Sequence, residues 1–538
     1  MRRAALVLTL AATSLLAFPM GVSATGPGGW NHLGHGATST LPALNGPVYA
    51  LNADSPGVLL VGGAFTSAGG NANATRVATW NGTAWGALNG TPIDNGAVNA
   101  LAYHGGKVYA GGTFINAGGK ADADFLAVWD GSSWGPACAA TGPAITATVK
   151  ALAVIDNTLY VGGSFGNAAA NPAADFLVAC DLTDGKASAT VLADGDINSG
   201  IEALAADSNG VLYAGGAFIN LNGIAAADHV AAYDPGTGTW SAMGSGAGAG
   251  GAAVDSMVRS LAAWGTTVYV GTDSTNIAGI PTADHVAAWN GSAWSPVGGN
   301  TAGTDGWFTT GTFVDSLAVN GPMIFAGGSF QNANGVATAD EIAYFDGTTW
   351  RPIGSNGAGN GPIGSQASAL AIFRSGVYAG GAFTSAGGDT LARSVAVYAL
   401  TLPDARIGLV STGPFAGNNV YSPTGSGESR TRTVARTKGG TFYVSIQNDG
   451  LVAASFTIKG TGSARGYTVH YYRGATNVTA SVKAGTWSTG AIGPRSSIIL
   501  RVRVTLASST AASVRYLVKA TSISGTPADA VKVIVKAK

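Results

Sequence analysis

The chain of 538 residues is poor in charge: 10% of it is Asp, Glu, Lys or Arg, against 82 glycines and 46% hydrophobic residues. Scarce charge with frequent Val, Tyr, Phe and Trp excludes a disordered chain, and two cysteines exclude a multi-cysteine zinc or disulfide scaffold. At this length, two or more domains with sizeable cores are expected.

In chain order, the first expected element is a signal peptide over residues 1–24. Arg2 and Arg3 precede an apolar run from Ala4 to Phe18, and Val22-Ser23-Ala24 forms a small-residue cleavage site. The apolar run is too short to span a bilayer, and no later run of about 18 apolar residues follows. An exported protein without a membrane span is therefore expected, secreted or held at the cell surface.

A seven-fold repeat follows. Its markers are Gly62-Gly63, Gly111-Gly112, Gly162-Gly163, Gly215-Gly216, a worn copy at Gly271, Gly327-Gly328 and Gly380-Gly381, at intervals of 49 to 56 residues. Each copy reads as four short strands separated by turns. In the second copy these are Val98 to Tyr103, Val108 to Phe114, Phe125 to Gly131, and Ser132 to Trp134. A period near 50 built from short strands predicts a β-propeller with one blade per repeat. Glycine pairs inside a strand mark a close approach, and the Trp residues of the third and fourth strands are the expected partners. The seventh copy stops at Tyr398-Ala399-Leu400 without its Trp strand, while Trp30-Asn31-His32-Leu33-Gly34 stands alone near the start. An N-terminal strand closing the last blade is expected, giving a propeller over residues 25–402.

The order of double glycine, aromatic-Asp and Trp resembles the kelch motif, most closely in VLYAGGAF followed by YDPGTGTWSAMG (Tyr233 to Gly244). The GGxF…AxWxGxxW pattern is also similar to repeats of secreted bacterial surface proteins. A seven-bladed kelch-type propeller with a C-terminal β-domain resembles galactose oxidase. Its Tyr/His copper set finds no match here, since Tyr103-His104 falls in a turn and His470-Tyr471 within a later strand.

Residues recurring at one position in most copies read as scaffold; positions where the copies differ are the better site candidates. Asp124, Asp175, Asp228, Asp284 and Asp340 recur before the third strand and read as turn residues. The start of the first strand instead varies: Tyr49, Asn99, Lys150, Glu202, Arg259, Asp315 and Ser368. In a propeller these positions ring the mouth of the central channel, where they either orient a polar ligand or are ordinary solvated strand ends. Trp307 and Phe308, on the long loop 298–314, either stack on a sugar ring or plug that mouth. Asp194, Asp196 and Asn198 alternate like calcium ligands but lack the EF-hand glycine and terminal glutamate; calcium is the one cofactor the sequence suggests. His229 and His285 occupy equivalent positions and could together hold a metal. Cys138 and Cys180, in neighbouring repeats, either form a disulfide or Cys180 simply fills the place that Trp80, Trp129 and Tyr233 take elsewhere.

After Pro403 the repeat gives way to alternating strands: TFYVSIQNDG, ASFTIKG, YTVHYYRG, SIILRVRVTLA, VRYLVKA and AVKVIVKAK. They predict an antiparallel β-sandwich over residues 403–538 and resemble the Ig-like modules of bacterial surface proteins. The formal net charge of zero conceals a split. Residues 25–402 hold 9 Lys/Arg and 24 Asp/Glu, and residues 403–538 hold 17 Lys/Arg and 4 Asp/Glu. A basic domain on an exported chain points to an anionic cell-wall polymer, or it docks on the acidic repeats; no nucleic-acid motif is present. The expectation is a non-catalytic binding or adhesion protein with glycan or surface polymer as ligand. The alternative is a secreted glycosidase or lyase, whose carboxylates need not be neighbours in sequence.

Overall fold

The computed structural model describes residues 29–538 except 139–144, 169–170, 172–173, 184–188, 193–196, 247, 309–312, 375, 402, 418–423, 436–437, 451–452, 507–511 and 523–527. The protein is all-β, with one short α-helix, Thr479–Ala484, among the described residues. No helix among them is long and apolar enough to cross a membrane. The chain divides at Ala399/Leu400 into two compact units.

The first unit contains seven four-stranded antiparallel sheets, one per repeat. Their first strands are Val48–Asn52, Val98–His104, Val149–Ile155, Ile201–Ala206, Val258–Trp264, Val314–Asn320 and Ala367–Phe373. Six sheets run in simple chain order. The seventh takes its fourth strand from the other end of the chain: Trp30–Asn31 pairs antiparallel with Val395–Ala399, Trp30 opposite Tyr398. The indole of Trp30 is fully buried.

A staircase of indole hydrogen bonds explains why the stray strand fits. In four sheets the fourth-strand Trp donates to the carbonyl three residues past the preceding sheet's Trp. Trp294 donates to Met243, Trp350 to Val297, Trp30 to Ile353, and Trp85 to Leu33. Trp30 thus takes the step after Trp350 and Leu33 accepts the step from Trp85, although 323 residues separate Trp30 from Ile353.

The paired glycines do not face the Trp residues, contrary to the expectation from sequence. A Cβ on the first glycine of each pair would strike the first strand of the next sheet: Gly62 against Val98 at 2.7 Å, Gly327 against Ala367 at 2.8 Å. Gly111 meets Val149, Gly162 meets Ile201, Gly215 meets Val258, Gly271 meets Val314, and Gly380 of the seventh sheet meets Val48 of the first. The second glycine is crowded by the backbone just before its own first strand, Gly63 by Pro47 and Gly112 by Ala97. In the worn fifth copy Thr272 stands there instead, its hydroxyl donating to the Met257 carbonyl at 2.8 Å. The first glycines thus make room for side chains of the next sheet, and the order of packing runs from the first sheet to the seventh and back to the first.

The recurrent aspartates are structural, as expected. Asp124, Asp175, Asp228, Asp284 and Asp340 accept the backbone N–H of Asn116, Asn167, Asn220, Asn276 and Asn332 at 2.6–2.7 Å. Each of these asparagines is held at positive φ, a conformation Asn tolerates better than most residues. Cys138 and Cys180 are disulfide-bonded, Cα atoms 5.5 Å apart, and both are buried. Bridge and core residue, posed as alternatives by the sequence, are one and the same here.

The second unit packs two five-stranded sheets around one core. One sheet contains Pro403–Gly408, Gly439–Asn448, Ser497–Leu506, Tyr467–Arg473 and Thr476–Asn477; the other contains Ser429–Val434, Ala528–Ala537, Ser513–Ser522, Phe456–Gly460 and Trp487–Ser488. Phe442, Val444, Leu500 and Val502 of the first meet Phe456, Ile458, Tyr516 and Val533 of the second. One pairing departs from the antiparallel expectation: Ser429–Val434 runs parallel to Ala528–Ala537.

Candidate functional site

The seven variable positions share one backbone device. In each first strand the register slips by one residue, and the unpaired residue is Tyr49, Asn99, Lys150, Glu202, Arg259, Asp315 or Ser368. A β-bulge leaves its extra residue outside the ladder and re-aims its side chain. The fold therefore offers seven equivalent, differently furnished side-chain positions at corresponding strand ends.

Several of these side chains meet between sheets. Lys150 of the third sheet forms an ion pair with Glu202 of the fourth. Arg259 grips Asp273 with two bonds, Nε to Oδ1 at 2.6 Å and Nη2 to Oδ2 at 3.0 Å. Its Nη1 lies 3.7 Å from Asp315 of the sixth sheet, and its guanidinium lies 4.4 Å from the centre of the Phe313 ring. Donation to Asp273 raises the Arg259 pKa further above its ordinary value. Burial pushes the Asp315 carboxyl up, opposed by the amide of Gln366, which donates at 2.8 Å, and by Arg259. Asn99 donates to the Val149 carbonyl of the next first strand at 3.3 Å.

Below this layer, residues of all seven first strands line one cavity of about 200 Å³. Tyr49, Asn99 and Arg259 border it. Ala50, Ala100, Ala151, Ala203, Ser260, Ser316 and Ala369 form a small-residue layer, followed by a layer of leucines. Ser260 and Ser316 donate across to Val314 and Ala367 carbonyls at 3.0 and 2.9 Å. That volume falls below the range of about 300–1,000 Å³ that encloses a small-molecule ligand. A ligand here would meet the polar rim rather than sink into the cavity.

Trp307 and Phe308 do not join this rim. Both are buried, 4% and 3% exposed. Trp307 stacks on Trp350 at 5.9 Å, and Phe308 meets Phe330 edge-on at 5.0 Å. Their faces are spent on the core of the sixth sheet, so neither presents a platform to a sugar. Phe313 from the same loop is 39% exposed and sits by Arg259.

Of the calcium candidates, Asp194 and Asp196 lie outside the described residues. Asn198 is used up structurally: its amide donates to the Ile219 carbonyl at 2.9 Å and accepts the Ile219 N–H at 3.0 Å. Asn95 clamps Ile115 in the same way in an earlier sheet. His229 and His285 occupy a slot held at positive φ in all seven sheets, with Arg76, Phe125, Phe176, Glu341 and Ser394. The His285 ring is buried, its Nδ1 3.2 Å from the Thr272 carbonyl, and burial lowers its pKa. No cluster of three or more metal-ligating side chains occurs among the described residues.

A second cavity, of about 410 Å³, was not anticipated. It lies at the opposite ends of the first three first strands, lined by Asn52, Asp54, Tyr103, His104 and Asp156 over a floor including Leu101 and Leu152. Its signal in the sequence is Asn52, which stands where the other six copies carry Ala102, Ala153, Ala205, Ala262, Ala318 and Ala371.

No family model matches the chain, and no curated protein matches it. Among solved structures, the secreted serine protease VesC from Vibrio cholerae is 12% identical over 20% of this chain and 21% of that one, with a TM-score of 0.15. A CARDB domain from Pyrococcus furiosus is 14% identical over 26% of this chain and 90% of that one (TM-score 0.15). Domains 4 and 5 of the S-layer protein SbsC are 18% identical over 20% and 47% (TM-score 0.12). Likeness at this level is local and identifies no relative.

Proposed function

We propose that the chain is a secreted, non-catalytic binding or adhesion protein. In this reading residues 25–402 form a seven-bladed kelch-like β-propeller, closed by Trp30–Asn31, that recognises a glycan or surface polymer. Residues 403–538 form a basic Ig-like sandwich that serves as spacer or anchor to anionic cell-wall material. The sheet-to-sheet glycine packing that returns from Gly380 to Val48 supports the propeller. The observation that carries the functional reading is the set of seven bulge residues, structurally equivalent yet chemically different, three of which border one cavity. Among copies that repeat most of their glycines, aspartates and tryptophans, this one position carries seven different residue types.

A second reading, a glycosidase or lyase, is favoured by Asp315. Burial pushes its carboxyl up while Arg259 opposes the rise, and Glu202, paired with Lys150, supplies a second carboxylate in the same bulge layer. A glycan array probed with the intact protein tests both. Binding that Lys150→Ala or Arg259→Ala weakens at least 10-fold supports recognition at the bulge layer. Binding indifferent to both substitutions removes that site. Consumption of an arrayed glycan replaces the binding reading with the enzymatic one.

A further inference from the structure

The four carboxylates of the basic unit are largely turned inward. Asp404, Glu428 and Asp529 are fully buried and Asp449 is half-buried, while 17 Lys/Arg share the same 136 residues, 403–538. The outside of this unit is therefore cationic with almost no acid of its own to neutralise it.

One sheet face combines that charge with aromatic rings. On the strand Ser497–Leu506, Leu500, Val502, Val504 and Leu506 point into the core, so Arg501 and Arg503 point outward. The register places Tyr443 and Tyr472 on the two sides of Arg501, and His470 beside Arg503. At about 4.8 Å per strand, the two tyrosines stand roughly 10 Å apart across the arginine. The Arg501 guanidinium lies 4.6 Å from the centre of the Tyr472 ring. Its Nε and the Nδ1 of His470 are buried without a hydrogen-bond partner among the described residues. Neither Arg501 nor Arg503 forms an ion pair among the described residues.

We propose that this face binds an acidic glycan, its sugar rings lying over Tyr443 and Tyr472 and its carboxylate or phosphate groups held by Arg501 and Arg503. The proposal rests on reading the basic unit as an anchor and names the surface and ligand chemistry that would do it. Guanidinium forks favour planar, bidentate anions. The flanking rings offer an apolar face with a wet hydroxyl edge, which suits a sugar better than a bare polyanion. The opposite sheet provides a control of equal charge: Lys459 and Lys519 pair side by side across two strands.

The test measures binding of the full chain to polygalacturonate, poly(glycerol phosphate), neutral dextran and inorganic polyphosphate at 0.15 M salt. One or both acidic glycans should bind, identifying the anion as carboxylate or phosphodiester. Dextran should not bind, and polyphosphate should bind at least 10-fold more weakly. R501Q/R503Q should lose at least 10-fold for the acidic glycan, K459Q/K519Q less than 3-fold. Y443S, which leaves the Arg501 contact with Tyr472 intact, should weaken the glycan several-fold and leave polyphosphate unchanged. If K459Q/K519Q abolishes binding and R501Q/R503Q does not, the anchor reading stands and this face is wrong. If no acidic probe binds, both fall. Polyphosphate binding as tightly as the glycans overturns the role of the tyrosines.

Discussion

Glu341 shows what the repeat demands of a single residue. It occupies the positive-φ slot before the third strand (φ 56°), and it is 7% exposed. Burial pushes its pKa from 4.5 up to about 7; Asp340 adds to the rise, and a hydrogen bond from Gln331 opposes it. A carboxyl whose folded pKa exceeds its unfolded one favours folding while protonated. Its contribution is full below about 4.5, declines as pH rises, and is gone above about 7. Glu341→Gln should therefore unfold with a flatter pH dependence and be more stable than wild type at pH 8, by up to about 3 kcal/mol at 1.36 kcal/mol per pKa unit. Urea unfolding at pH 5 and pH 8 reads this directly, and equal pH slopes for the two proteins would refute it. Gly62 makes a complementary case. A methyl there would press on Val98 of the next sheet at 2.7 Å, so Gly62→Ala should cost about 1–3 kcal/mol in chemical denaturation. The glycine pairs were plain in the sequence but their partners were not. A repeat gives the spacing of residues within one copy and is silent on which copy each residue touches.

Among the elements, the stray strand at Trp30 was legible because the seventh copy lacks what the N-terminus carries. The seven bulges were legible only as positions of variation, since the slip in register leaves no mark on residue type. Ser429–Val434 escaped notice for a different reason. Its SRTRTV alternates polar with polar, and its parallel partner Ala528–Ala537 lies about a hundred residues away. Trp307 and Phe308 misled because a Gly- and Thr-rich loop looks solvent-facing, whereas burial behind Trp350 is set by tertiary packing. The Cys138–Cys180 bridge ties the second sheet to the third across 42 residues. A loop of that length implies about 4 kcal/mol from chain entropy. Reduction, or Cys138→Ala with Cys180→Ala, should lower the unfolding midpoint accordingly; an unchanged midpoint would mean the bridge adds nothing to the packing between these two sheets.

At the scale of the molecule, the two units carry opposite charge, with acid in the repeat and base in the sandwich. That split was visible from the sequence, but the arrangement of cations around Tyr443 and Tyr472 required the register of three strands. Everything proposed for the bulge layer depends on the seven sheets closing on one another, and closure depends on residues near the N-terminus. Trp30 and Leu33 are buried, donating to Ile353 and accepting from Trp85, so the segment joins the sixth, seventh and first sheets. Removing so large a buried indole alone should cost about 3–5 kcal/mol. The most direct test is hydrogen exchange and thermal unfolding of the chain lacking residues 25–40. Closure predicts a lower melting temperature and lost protection in the second strands of all seven sheets together. Melting at the full-length temperature, with protection lost only along Val395–Ala399, would contradict it.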